Sequence, residues 1–153
     1  MDSHTAWLIL RSLETLKIRV EASSRGAEEV VKFLQSQDLV TRIDYPGLLT
    51  EGDPQYAVYK KQCSGAGSTF SFEVKGGEAK AFSVLNKLKL IKLAVSLGGT
   101  ESLAQHPAAM THSGVPKERR DIIGVTEGLI RLSIGIEDPK DLIADLTQAL
   151  ADD

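Results

Sequence analysis

Apolar residues recur at i, i+3, i+4 and i+7 twice near the start of the chain, at Ala6, Ile9, Leu10 and Leu13 and again at Ala27, Val30, Val31 and Leu34. That period is the one-sided stripe of an amphipathic helix. Asp2 or Ser3 can cap the first. Over Lys17–Val20 the apolar phase shifts, which predicts a bend or break between the two helices. Strands and helices then alternate. Leu39–Tyr45 reads as a strand ending at the turn dipeptide Pro46-Gly47, and Gly52-Asp53-Pro54 introduces a short helix through about Lys61. Phe70, Phe72 and Val74 alternate with Ser71 and Glu73, the pattern of a half-buried strand, and Gly76-Gly77 separates it from a helix over Glu78–Leu88.

Leu90–Val95 reads as a further strand closed by Gly98-Gly99, and Thr100–Pro116 as mostly loop with a helical turn at its start. Lys117–Ile123 forms a helix ended by Gly124. Leu129–Ile136 is the clearest strand, with Ile130, Leu132, Ile134 and Ile136 facing one way. Asp138 then caps a last helix that has Pro139 at its first position and Leu142, Ile143, Leu146 and Leu150 on its buried face. The expected fold is α/β (α+β): a small sheet of about four strands, largely antiparallel, with helices over one face.

Composition narrows the function classes. At 153 residues the chain suits one domain. Eighteen basic against 21 acidic residues give a net charge of −3, with no basic stripe for nucleic acid. Cys63 is the only cysteine, so neither an intrachain disulfide nor a thiolate metal cage is available. No apolar run approaches the ~20 residues of a membrane helix, and no basic-then-apolar signal pattern opens the chain, so a cytoplasmic location is expected. His4, His106 and His112 lack metal-ligand spacing; His106 and His112 read as loop-packing residues.

Two elements can carry chemistry. Arg131 lies between the core-facing Ile130 and Leu132, so it projects from the opposite face, on the side of Ser133. A guanidinium is well suited to grip a carboxylate through two parallel hydrogen bonds, although an arginine there is also often a solvated charge. Ser96-Leu97-Gly98-Gly99 leaves a strand as a turn whose N–H groups can help bind an anion. Pattern alone does not place the two together.

The run LAVSLGGTESLAQHPAAMTH from Leu93 and the block GLIRLSIGIED ending at Asp138 resemble the carboxyl-terminal domain of the pyridoxal-phosphate enzymes of cysteine and methionine metabolism. Similarity extends through AWLILRSLETLKIRV and DYPGL. The resemblance implies that Arg131 binds the α-carboxylate of a sulfur amino acid, that Ser96 and Leu97 lie at the substrate pocket, and that Thr111 is near it. Val95 stands where cystathionine enzymes of the family carry glutamate and methionine γ-lyase-like members carry valine, which implies methionine-type specificity. Alternatives are a cystathionine γ-lyase, γ-synthase or O-acylhomoserine sulfhydrylase domain, or a stand-alone interaction module.

The resemblance also implies that residues 1–37 are helices joining two domains and that 38–153 form the sheet and its covering helices. Pyridoxal 5′-phosphate and its lysine belong to a preceding domain, so this chain is expected to hold no covalent cofactor and to contribute no catalytic residue. The family's assembly implies a homo-oligomer, and an isolated chain is expected to expose an apolar surface around Trp7, Ile9 and Leu10.

Overall fold

The computed structural model describes residues 1–151. Helix α1 spans Ser3–Leu13, with Asp2 as its cap: the carboxylate accepts the Thr5 N–H at 3.0 Å. Helix α2 spans Leu16–Leu34. The chain bends at Glu14–Thr15, and Lys17–Val20 lies inside α2. The expected break is therefore a few residues too late. The phase shift records a change of apolar face, with Ile18 and Val20 left exposed, and Arg19 spans the true break by donating to the Ser12 carbonyl and Thr15 hydroxyl. Nothing in α1 is buried, whereas α2 buries Ala27, Val30, Val31 and Leu34.

Five strands form one sheet: β1 (Val40–Asp44), β2 (Thr69–Val74), β3 (Lys92–Leu93), β4 (Leu103–Gln105) and β5 (Leu129–Ser133), in spatial order β1-β2-β5-β4-β3. Every pairing is antiparallel except β3 with β4. The sequence reading misses β4, placing Leu103–Gln105 in a loop; all three residues are buried, so no alternation announces them. The Leu90–Val95 strand shortens to two paired residues. A 3₁₀ turn at Pro46–Leu48 and helix α3 (Tyr56–Gln62) link β1 to β2. Helices α4 (Gly77–Lys87), α5 (Lys117–Ile122) and α6 (Pro139–Leu150) complete the chain.

Phe70, Phe72 and Val74 on β2, Ala104 on β4, and Ile130 and Leu132 on β5 make the core face, with Ile134 just beyond. Helices α2, α4 and α6 cover it with Val30, Leu34, Ala81, Val84, Leu142 and Leu146. Burying such a side chain stabilises by roughly 1.5–3 kcal/mol. Ile136, expected on the same face, is 47% exposed. Strand β5 ends at Ser133, and buried Gly135 turns the chain against the Thr100 carbonyl, where a Cβ would collide. The α6 cap is as read: Asp138 accepts the Lys140 N–H at 2.9 Å, with Pro139 at the first position.

The sheet's other face is polar. Register aligns Asp44 with Ser71, Ser71 with Arg131, and Arg131 with Gln105, so one row crosses four strands. No helix among the described residues is long and apolar enough to cross a membrane.

Candidate carboxylate-binding site

Strand order brings the two candidate elements together. Ser96-Leu97-Gly98-Gly99 follows the edge strand β3, and Arg131 lies two strands in, on β5. The arginine side chain crosses β4, and its Nη2 donates to the Val95 and Ser96 carbonyls, each at 2.8 Å. Ser133, on the same face of β5, accepts the Gly98 N–H through Oγ at 2.9 Å. Gly98 has φ +75°, a backbone conformation suited to glycine at this tight turn. Two side chains of one strand thus fasten both ends of the turn.

The charge on Arg131 has no acidic partner among the described residues. The guanidinium is half-buried, Nε is fully enclosed without a hydrogen bond, and Nη1 bonds to no described residue. Burial lowers its pKa from the ordinary arginine value, yet an arginine remains a cation at neutral pH. A cation held only by neutral carbonyls is suited to an external anion, which stabilises it more than another neutral acceptor does.

Val95 and Leu97 leave their apolar side chains exposed beside this cation. Ser96 is exposed, and its carbonyl, rather than its hydroxyl, meets Arg131. Thr111 is also exposed: Gln105 Nε2 lies 3.3 Å from its Oγ1, and His112 Nδ1 lies 2.9 Å from the same oxygen. His106 is 1% exposed, with Nδ1 accepting the Ala109 N–H and Nε2 at 2.8 Å from the Glu127 carbonyl, so both ring nitrogens are engaged in packing the loop. No group of three metal-binding side chains occurs among the described residues.

The sequence reading missed four supporting residues. Ser133 was visible through the strand period but given no role. Gln105 was hidden with β4. Ser102 and Glu137 hold the far side of the turn: Glu137 accepts the Ser102 N–H at 2.6 Å and its hydroxyl at 2.8 Å, while Ser102 Oγ accepts the Gly135 N–H at 2.9 Å.

A half-buried cation beside exposed apolar side chains is what this turn presents. The family model described as Cys/Met metabolism PLP-dependent enzyme matches residues 1–151. The chain is 49% identical over 145 residues to an L-methionine gamma-lyase of Fusobacterium nucleatum subsp. nucleatum, covering 95% of this chain and 36% of that protein. A cystathionine gamma-lyase of Sus scrofa is 47% identical over 144 residues, 94% of this chain and 35% of its own length. A crystal structure of a cystathione gamma lyase from Micromonospora echinospora superposes with TM-score 0.88 at 43% identity, over 96% of this chain and 38% of that one. A putative O-acetylhomoserine (thiol)-lyase from Campylobacter jejuni, whose structure holds N′-pyridoxyl-lysine-5′-monophosphate, gives 0.86 at 41%, over 95% and 34%. The chain belongs to the Cys/Met metabolism family of PLP-dependent enzymes and spans little more than a third of these relatives' lengths.

Pyridoxal phosphate requires a lysine amine, a partner for the ring nitrogen and a phosphate cradle. The residues gathered around Arg131 do not fit it. The lysine closest in sequence to the turn, Lys92, has its Nζ 3.0 Å from the Lys89 carbonyl.

Proposed function

We propose that this chain is the carboxyl-terminal, substrate-carboxylate-binding part of a PLP-dependent carbon–sulfur lyase of the methionine γ-lyase type. A cofactor-bearing region of the same polypeptide and further copies of it are the partners this reading requires, and the location is cytoplasmic. The observation that carries it is the Arg131 cation, half-buried, without an acidic partner among the described residues, and laid against the Ser96 turn. Nη1 and Nη2 grip the α-carboxylate, with one of the two carbonyl bonds of Nη2 yielding to the stronger acceptor. Ser133 keeps the turn in place while that exchange occurs. Val95 gives a thioether an apolar neighbour, where a second ammonium group would find no charge to pair with. That contrast favours methionine over cystathionine.

The test uses the cofactor-loaded enzyme. Arg131→Ala removes a charge-assisted grip worth about 2–5 kcal/mol, or roughly 30- to several-thousand-fold in kcat/KM for L-methionine. Arg131→Lys recovers part of that, since an ammonium lacks the planar fork. Thermal melting of each variant is measured alongside. An Arg131→Ala enzyme that melts normally and keeps its activity overturns the assignment. Cystathionine assayed beside methionine tests the specificity: Val95→Glu shifts preference toward cystathionine.

A further inference from the structure

Arg131 and Gln105 are direct register partners on β5 and β4, and both side chains project from the polar face of the sheet. Side chains so placed have Cβ atoms about 5 Å apart. To reach the carbonyls beyond β3, the arginine side chain must run over β4, and the residue beneath its path is Gln105. Gln105 is 2% exposed. Among the described residues, three buried side-chain polar atoms lack a hydrogen bond, and two of them are Gln105 Oε1 and Arg131 Nε. One is an acceptor without a donor and the other a donor without an acceptor. Leaving both unpaired costs about 1–3 kcal/mol each.

The other end of the amide meets Thr111. If the Thr111 hydroxyl gives its single proton to His112 Nδ1, at 2.9 Å, its oxygen is left to accept from Gln105 Nε2 at 3.3 Å. Flipping the amide would set two N–H donors against the guanidinium. Oxygen is therefore the end that faces Arg131.

We propose that Gln105 is a positioning residue for Arg131: its Oε1 accepts the Arg131 Nε–H, with Thr111 anchoring the amide, and this sets the plane in which Nη1 and Nη2 meet a substrate carboxylate. The proposal rests on the carboxylate-binding reading for its consequence, though not for the pairing itself. It makes Thr111, expected near the pocket, a support two links from the charge. Gln105 touches no reacting atom; it limits the rotation of a long side chain whose free wandering would weaken the grip.

Two measurements test it. On the 153-residue chain without cofactor, nitrogen–proton correlation spectra follow exchange of the Arg131 Nε–H with water. Gln105→Met keeps the bulk and removes the acceptor; exchange is expected to quicken about tenfold or more. Gln105→Glu restores an acceptor and is expected to restore slow exchange. Should Gln105→Met not fold, Gln105→Asn, one methylene too short, gives the same reading. In the cofactor-loaded enzyme, Gln105→Met raises KM for L-methionine about tenfold with kcat nearly unchanged. Unchanged Nε–H exchange in a folded Gln105→Met or Gln105→Asn chain overturns the proposal. Because that measurement needs neither substrate nor cofactor, it separates failure of the pairing from failure of the carboxylate reading, which Arg131→Ala tests alone.

Discussion

Arg131 and Ser133 lie two residues apart on one face of β5, and each holds a different end of the same turn. Arg131 takes the carbonyls of Val95 and Ser96, and Ser133 takes the N–H of Gly98. The turn is thus registered to the strand that carries the cation, and a displacement of one displaces the other.

Ser133→Ala separates holding from gripping. Gly98 is exposed, so water replaces the lost acceptor and stability falls only about 0.5–1.5 kcal/mol. On the proposed carboxylate-binding reading, the loosened turn in the loaded enzyme is expected to raise KM for methionine roughly threefold to tenfold with a smaller change in kcat. Melting curves and initial rates on the same preparation give both quantities. A KM equal to that of the parent enzyme would show that the turn needs no second fastening.

Asp145 predicts a pH dependence. Its carboxylate, 6% exposed on α6, accepts the N–H groups of Lys89, Leu90 and Ile91 at 2.8–2.9 Å, and Gln148 Nε2 adds a fourth at 3.1 Å. Desolvation raises its pKa, but the hydrogen bonds outweigh it and hold the value below the ordinary 3.8. A folded pKa below the unfolded one means the contribution is full above about pH 4 and is lost as pH falls through the folded value. Asp145→Asn should therefore be less stable at neutral pH and show a shallower loss below pH 4 in denaturant titrations. Parallel curves for the two proteins would refute this.

Helix α1 predicts self-association. Trp7, Leu8, Ile9, Leu10 and Leu13 are each 46–65% exposed, and no α1 residue is buried. Apolar patches of that kind are unusual on a monomer. Sedimentation velocity at low micromolar concentration is expected to show a concentration-dependent dimer, and Leu10→Glu with Ile9→Lys to return it to monomer. A single monomeric species at every concentration would count against it.

Much of the fold was legible wherever burial on one side imposed a period. The alternation of Phe70, Phe72 and Val74 gives β2, and the Asp138-Pro139 cap gives the start of α6. What failed had no such signature. Leu103–Gln105 is enclosed on both faces, so its three residues carry no alternation, and without β4 neither the fifth strand nor the placement of Gln105 beside Arg131 could appear. Ile136 continues the period of β5 past the point where Gly135 has already turned the chain. Arg131 and the Ser96 turn were readable as candidates from residue type and resemblance. Their proximity was not, because Arg131 reaches Ser96 only through the order β5-β4-β3, a property of topology.

The two edges of the sheet bear on how copies of the chain can meet. Strand β3 pairs through only two residues, one of them Lys92, and β1 carries an irregularity between Val40 and Arg42 beside the charged Arg42 and Asp44. Short length, a bulge and charge each spoil an open edge as a template for another strand. Both borders of the sheet are therefore poor templates for a ribbon-wise neighbour. The exposed apolar side chains of α1 are the surface through which copies are expected to meet instead.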